Sequence, residues 1–293
     1  MPTPTKCFKR TYVEITNSCN LSCEFCPDTS RTRQFMSPER FENILTRLGT
    51  YSTHLYFHVL GEPLLHPHLS KLLDIAHDHG KLVNLVTNGT LIGEKGPLIL
   101  GKPALRQVTF SLHSFVPGKQ ISSVESYLEP IVSFARQASK NHLICLRIWD
   151  TDAQADSAGG AAIVRFIEKE FRVPYSLEEK LQVSSGIPLS KNIFLNKTKR
   201  FTWPDASGPD YGDSGFCLGL REQIAILVDG TVVPCCLDRN GDIALGNILS
   251  QEMKQILESK RAREIYSGFS RHKVSETLCR HCSYRLRFNC SAL

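Results

Sequence analysis

No run of 18 uncharged apolar residues occurs in the 293-residue sequence, which excludes a membrane-spanning helix. The opening residues, MPTPTKCFKRTYVEI, lack an apolar stretch of signal-peptide length, so export is not expected and the cytoplasm is the expected compartment. Internal repeats and low-complexity tracts are also missing, which sets solenoid architectures aside. What remains is an ordinary globular composition, 41% hydrophobic and 22% charged, in a chain long enough for one large domain and a small one.

Cysteine is where the composition departs from the ordinary. Eleven thiols in a reducing compartment point to metal or catalysis rather than to disulfides. They cluster: Cys19, Cys23 and Cys26 lie early, Cys217, Cys235, Cys236, Cys279, Cys282 and Cys290 late, and Cys7 and Cys145 stand alone. The net charge of +6 is as uneven, because from Lys260 onward eight Lys or Arg are set against Glu264 and Glu276, and this tail carries the whole excess. A basic tail suits nucleic acid, an anionic metal centre, or a solvated helix face.

Strand-like and helix-like runs alternate. RTYVEIT, HLYFHVL (54–60), KLVNLVT (81–87), LRQVTFSLH (105–113) and HLICLRIWD (142–150) read as strands, separated by amphipathic stretches such as SPERFENILTRLG and HLSKLLDIAHDHG. This (βα) repetition predicts a parallel sheet. Within the strands Val108, Phe110 and Leu112 oppose Gln107, Thr109, Ser111 and His113, and Ile144, Leu146 and Ile148 oppose Cys145, Arg147 and Trp149. A strand covered on both faces would be continuously apolar, so one face here lines something wet or ligand-filled. Glu14 and Thr16 in the first strand, and Tyr56 and His58 in the second, extend that polar face. A sixth strand is expected in LQVSS (181–185) or NIFLN (192–196). The Gly, Pro, Asp and Ser-rich stretch from Phe201 reads as a linker, which divides the chain into 1–205 and 206–293. Beyond it Asp229-Gly230 predicts a hairpin, and ILSQEMKQILESKRAREIY one amphipathic helix.

The segment ITNSCNLSCEFCPDTS sets Cys19, Cys23 and Cys26 in a loop directly after the first strand. Three thiolates can hold three corners of a cubane iron-sulfur cluster and leave the fourth iron open. Structural zinc is the rival, but it wants a closed tetrahedral set and no fourth cysteine lies nearby. The pattern, with Phe25 before the third cysteine, resembles the C-x3-C-x-aromatic-C signature of the radical S-adenosylmethionine (SAM) superfamily. Further motifs follow in that family's order. Leu60-Gly61-Glu62-Pro63 is similar to its Gly-Gly-Glu-Pro, with Leu60 in place of the first glycine; Thr87-Asn88-Gly89 ends the third strand, and Ser111-Leu112-His113 the fourth.

The resemblance implies a partial (β/α)6 TIM-like barrel of α/β class, with a [4Fe-4S] cluster on Cys19, Cys23 and Cys26 and SAM on its open iron. It implies SAM contacts from Phe25, Gly61, Glu62, Pro63, Asn88, Ser111, His113 and Arg147, of which His113 and Arg147 are also the catalytic candidates. The implied chemistry is reductive cleavage of SAM to a 5′-deoxyadenosyl radical that takes hydrogen from a substrate.

The late cysteines resemble the SPASM or twitch domain of the same superfamily, a small α+β unit of β-hairpin plus helix. Cys217 precedes Gly230-x4-Cys235 and the pair Cys279-Arg-His-Cys282, and this shorter form implies one auxiliary [4Fe-4S] cluster on Cys217, Cys235, Cys279 and Cys282. Cys236 and Cys290 compete for a ligand position, and a zinc ribbon is the alternative. The expected function is hydrogen abstraction leading to an oxidation, with the auxiliary cluster taking the second electron. Alternatives are a ribosomal peptide maturase that makes a crosslink or epimer, and a zinc-stabilised nucleic-acid-binding module. With about ten residues ahead of the first strand, a small-molecule substrate is expected before a long leader peptide. A flavodoxin or ferredoxin is the expected one-electron donor; nucleic acid and membrane are not expected partners.

Overall fold

The computed structural model describes residues 7–115, 123–150 and 157–288. Its strands are β1 (Arg10–Val13), β2 (His54–Phe57), β3 (Leu82–Thr87), β4 (Leu105–Ser111), β5 (Leu143–Asp150), β6 (Gly186–Ser190), β7 (Ile193–Lys199), β8 (Gln223–Ile226), β9 (Thr231–Val233) and β10 (Gly246–Asn247). The helices are α1 (Pro38–Leu48), α2 (Leu69–Asp78), α3 (Ile92–Ile99), α4 (Val124–Ala138), α5 (Ser157–Phe171), α6 (Leu177–Val183), α7 (Met253–Leu257), α8 (Lys260–Ser270) and α9 (Thr277–Arg280). Local sequence explains their ends. Ser37 accepts the Arg40 amide at the start of α1 and Pro38 supplies a preset first-turn geometry.

Two compact units form. The first takes the described residues of Met1–Gly61, Ile75–Leu82 and Phe201–Leu293, so both ends of the chain build it. In it β1 runs parallel to β2, with Tyr12 opposite Tyr56, and parallel to β8, from Arg10 opposite Gln223 to Val13 opposite Ile226. β9 returns antiparallel to β8 through the expected hairpin, where Gly230 has φ +89°, and β10 adds antiparallel to β9.

The second unit takes Glu62–Asp74 and the described residues of Val83–Arg200. Here β3, β4, β5 and β7 are parallel neighbours in that order, and β6 closes the edge antiparallel to β7. The apolar faces of β4 and β5, Val108, Phe110, Ile144, Leu146 and Ile148, are buried. Phe110 meets Phe134 of α4 at 6.1 Å between ring centroids. Each such buried side chain contributes ~1.5–3 kcal/mol.

The fold is thus α/β with parallel strands, and the six parallel strands expected of it are β1 to β5 and β7. Of the two candidates for the sixth, NIFLN lies in β7, whereas Leu181 to Val183 end helix α6. The single late helix is corrected to two, α7 and α8. The Ser259 side chain accepts the Ala262 amide and starts a new helix there, so a strong cap interrupts an amphipathic pattern that read as continuous.

Candidate functional site

The first three cysteines sit in the loop between β1 and α1. The Cys26 amide donates to the Cys23 carbonyl at 3.0 Å, and the Leu21 amide reaches the Cys19 sulfur at 3.4 Å. Although Cys26 reaches the surface, the crowding of its sulfur pushes that thiol up to about 11, desolvation first and then the nearby Cys23 and Cys19. A thiol whose ionisation burial resists is held as a thiolate by a bound metal centre, and the irons of an iron-sulfur cluster would supply one.

Buried anchors hold this loop. Asn17 accepts the Gln34 amide at 2.7 Å and donates to the Thr32 carbonyl, while Thr16 donates to the Gln34 carbonyl. Glu14, on the strand face expected to be wet, is fully buried and pairs with both ends of the Arg31 fork at 2.7 Å. Its carboxylate also accepts the amides of Leu60 and Val228, at 3.3 and 3.1 Å. Burial pushes the Glu14 carboxyl up, against the pull of Arg31 and the two amides. Arg31 then donates to the Arg239 carbonyl, and Thr29 to the Asn240 side chain, so the cysteine loop is laced to the segment that follows Cys235 and Cys236.

The turn after β2 comes close to the same loop. Gly61 has φ +80°, and a Cβ there would collide with the Thr16 carbonyl oxygen and lie 2.9 Å from that of Ser18. Only glycine fits, which is a physical reason for the Gly-Glu-Pro signal. In the second unit Glu62 is buried and accepts the Leu64 and Asn88 amides and the Thr87 hydroxyl, at 2.9, 2.7 and 2.7 Å. Burial outweighs those bonds and raises its carboxyl to about 7. Glu62 therefore ties the second-strand motif to Thr87-Asn88-Gly89. Asn88 itself accepts the amide and hydroxyl of Thr90, and its carbonyl accepts the Tyr127 hydroxyl at 2.6 Å.

The polar face of the second unit continues through Ser111, Arg147, Trp149 and His113. Ser111 and Arg147 are register partners, and Arg147 donates to the Ser111 hydroxyl at 2.6 Å. His113 stacks on Trp149, with centroids 3.8 Å apart and planes 7° from parallel, and the Arg200 guanidinium lies over Trp149 at 5.6 Å. Burial first, then Arg147 and Arg200, hold the His113 imidazole well below its ordinary range and hence neutral. Trp149 and Arg200 were missed as site residues. Arg200 continues the alternation Phe194, Asn196, Thr198, whose members pair in register with Cys145, Arg147 and Trp149, a signal that depends on β7 being the sixth strand.

The late cysteines come from separated segments of the first unit: Cys217 before β8, Cys235 after β9, Cys279 in α9 and Cys282 just beyond it. Burial, then the proximity of Cys236, Cys217, Cys279 and Cys282, pushes the Cys235 thiol well above its ordinary range; Cys279 is raised by burial and then by Cys217 and Cys282. Cys236 is also near, but its sulfur accepts a hydrogen bond from the Tyr12 hydroxyl and packs in an apolar cluster with Val59, Leu227 and Val233. Cys290 lies outside the described residues. None of the ten described cysteines is bridged by a disulfide. Among the described residues no three His, Cys, Asp or Glu side chains converge closely enough to hold a single metal ion.

Residues 13–148 match the Radical SAM superfamily, and residues 217–283 match an iron-sulfur cluster-binding domain of the SPASM type. An S-adenosyl-L-methionine-dependent 2-deoxy-scyllo-inosamine dehydrogenase of Niallia circulans is 22% identical over 95% of this chain and 94% of its own. An S-adenosylmethionine-dependent nucleotide dehydratase of Thermoplasmatales archaeon (strain ISO4-H5) is 32% identical, but over 31% of this chain and 33% of its own, so the chain spans about a third of that relative. Among solved structures, anSMEcpe with bound AdoMet and Cp18Cys peptide shares the fold at a TM-score of 0.57 and 18% identity, over 97% of this chain and 91% of that one. The two matched domains imply SAM and [4Fe-4S] clusters as cofactors.

Proposed function

We propose that this chain, which belongs to the radical SAM superfamily and carries a SPASM-type iron-sulfur domain, is an enzyme that removes a hydrogen atom from a substrate and completes a two-electron oxidation with the help of an auxiliary cluster. Cys19, Cys23 and Cys26 hold the first cluster; Cys217, Cys235, Cys279 and Cys282 hold the second, in a domain running from about residue 206. A [4Fe-4S] cluster held by Cys19, Cys23 and Cys26 would supply the one-electron chemistry on SAM that hydrogen abstraction requires. The chain's own residues orient and enclose. Phe25, Gly61 and the Glu62-Pro63 turn shape backbone for SAM, Asn88 and Ser111 offer polar contacts, and the Arg147 guanidinium takes a carboxylate. His113, kept neutral against Trp149, serves as a stacking and hydrogen-bonding group rather than as a cation.

The observation that carries this reading is the gathering of four late thiols from distant segments, with Cys236 committed to Tyr12. An oxidation that begins by removing a hydrogen atom must dispose of a further electron, and a cluster held by Cys217, Cys235, Cys279 and Cys282 would be placed to take it. The near full-length likeness to a dehydrogenase supports oxidation. A peptide maturase is the second reading, favoured by the fold shared with a peptide-bound relative. The donor is a flavodoxin or ferredoxin, the compartment the cytoplasm.

Anaerobically reconstituted protein is expected to carry about eight irons and to pass deuterium from a labelled substrate into 5′-deoxyadenosine. Zinc at either site, or about four irons in the wild type, would refute the two-cluster assignment. Deuterium arriving from a peptide with no net oxidation would favour the maturase.

A further inference from the structure

The basic tail holds one cation that differs from the rest. Arg280 pairs with Asp210, Arg261 makes a two-pronged bond to Glu276 at 2.8 Å, Lys260 lies 3.9 Å from Glu264, and Arg287 stacks on the Tyr284 ring at 3.5 Å. Arg285 is only 1% exposed, and among the described residues no carboxylate pairs with it. Its guanidinium donates instead to four carbonyls: Cys279 and Ser214 at 2.8 Å, Tyr211 at 2.8 Å and Gly212 at 2.6 Å. Carbonyls satisfy the N–H groups and leave the charge uncompensated, a costly state for a buried ion. What ties it to the late cysteines is the first of those carbonyls, which belongs to Cys279 itself.

We propose that Arg285 is the built-in counter-charge of the auxiliary cluster and sets its reduction potential. This rests on the assignment of Cys217, Cys235, Cys279 and Cys282 as ligands. A [4Fe-4S] core with four thiolates carries two negative charges when oxidised and three after gaining one electron, with no proton taken up. A fixed cation bonded to the backbone of one of the ligand residues favours the more negative state, so it makes this cluster the better electron acceptor. The same logic gives the carbonyl cage its purpose, since four acceptors fix the guanidinium where solvent cannot screen it.

The test uses reconstituted holoenzyme, with SAM added to mark the first cluster's EPR signal, and dithionite titration followed by EPR. Wild type must first show two clusters; failure there refutes the ligand assignment and not the role of Arg285. Arg285→Met is expected to lower the potential of the second cluster, or to lose that cluster alone. Arg285→Lys, which keeps the charge and not the fork, is expected to load it near the wild-type potential. An unchanged potential in Arg285→Met would overturn the proposal. So would Arg285→Lys matching Arg285→Met, or both variants failing to load, because either result assigns Arg285 to the carbonyl scaffold.

Discussion

At Glu62 the chain accepts a buried carboxyl whose oxygens are occupied by three donors and whose ionisation is still resisted, at about 7. In the unfolded chain it ionises in the ordinary carboxylate range, so between that range and pH 7 the folded state keeps a proton that the unfolded state has released. Its contribution to stability is therefore full in acid and falls as pH rises to about 7, by about 3 kcal/mol. Asp238, raised to about 6 by burial, adds a slope of the same sign. In Glu62→Gln the steeper part of the decline disappears and the shares of Asp238 and of Glu14, also raised by burial, remain against the opposite slope of the neutral His113, while a mispaired amide against the Asn88 N–H lowers stability by ~1–3 kcal/mol at acid pH. Urea unfolding of metal-free protein from pH 5 to 7.5 measures both. A variant with the wild-type slope would place the titration elsewhere. The close backbone approach at Gly61 was legible in the sequence. What could not be read was that Glu62 spends its oxygens on Thr87 and Asn88, because hydrogen bonds between neighbouring strand ends leave no local pattern.

Strand alternation gave β1 to β5 because the period of two is set by the pleat and survives any tertiary context. It left the sixth strand open between LQVSS and NIFLN, each five residues long; the Ser176 cap, accepting the Glu179 amide, drew the first into α6. The late helix failed for a related reason. Ile248 to Tyr266 has a continuous amphipathic period, yet Ser259 caps a new start, and the chain turns between Leu257 and Lys260. Ser259→Ala is expected to cost about 1 kcal/mol in a denaturant midpoint, as the orphaned Ala262 amide loses its acceptor. Fusion of the two helices in that variant, seen as gained helicity at unchanged stability, would mean that packing rather than the cap sets the break.

For the molecule as a whole, the unforeseen feature is that its first unit is sewn from both ends of the chain. The sequence showed two cysteine groups and a linker. It could not show β8 lying parallel beside β1, nor a carboxylate 214 residues from the amide it receives. Glu14 is where those ends meet: it binds Arg31 of the first cysteine loop, Leu60 before Gly61, and Val228 at the hairpin that delivers Cys235. Removing one partner of such a pair leaves the other's charge unmatched, and for buried pairs that costs about 3–5 kcal/mol. Arg31 is 14% exposed, so the lower end applies. Glu14→Gln is therefore expected to lower stability by about 3 kcal/mol and, because the one carboxylate holds both cysteine-bearing segments, to lower iron loading at both sites together. Replacing Glu14 and Arg31 jointly by Leu removes the unmatched charge and should recover part of the stability but not the loading, since the Leu60 and Val228 amides lose their acceptor. Iron content and the SAM-sensitive EPR signal read the two sites separately. Loss confined to the first cluster would mean that Arg31 alone orders its loop and that the hairpin is held independently.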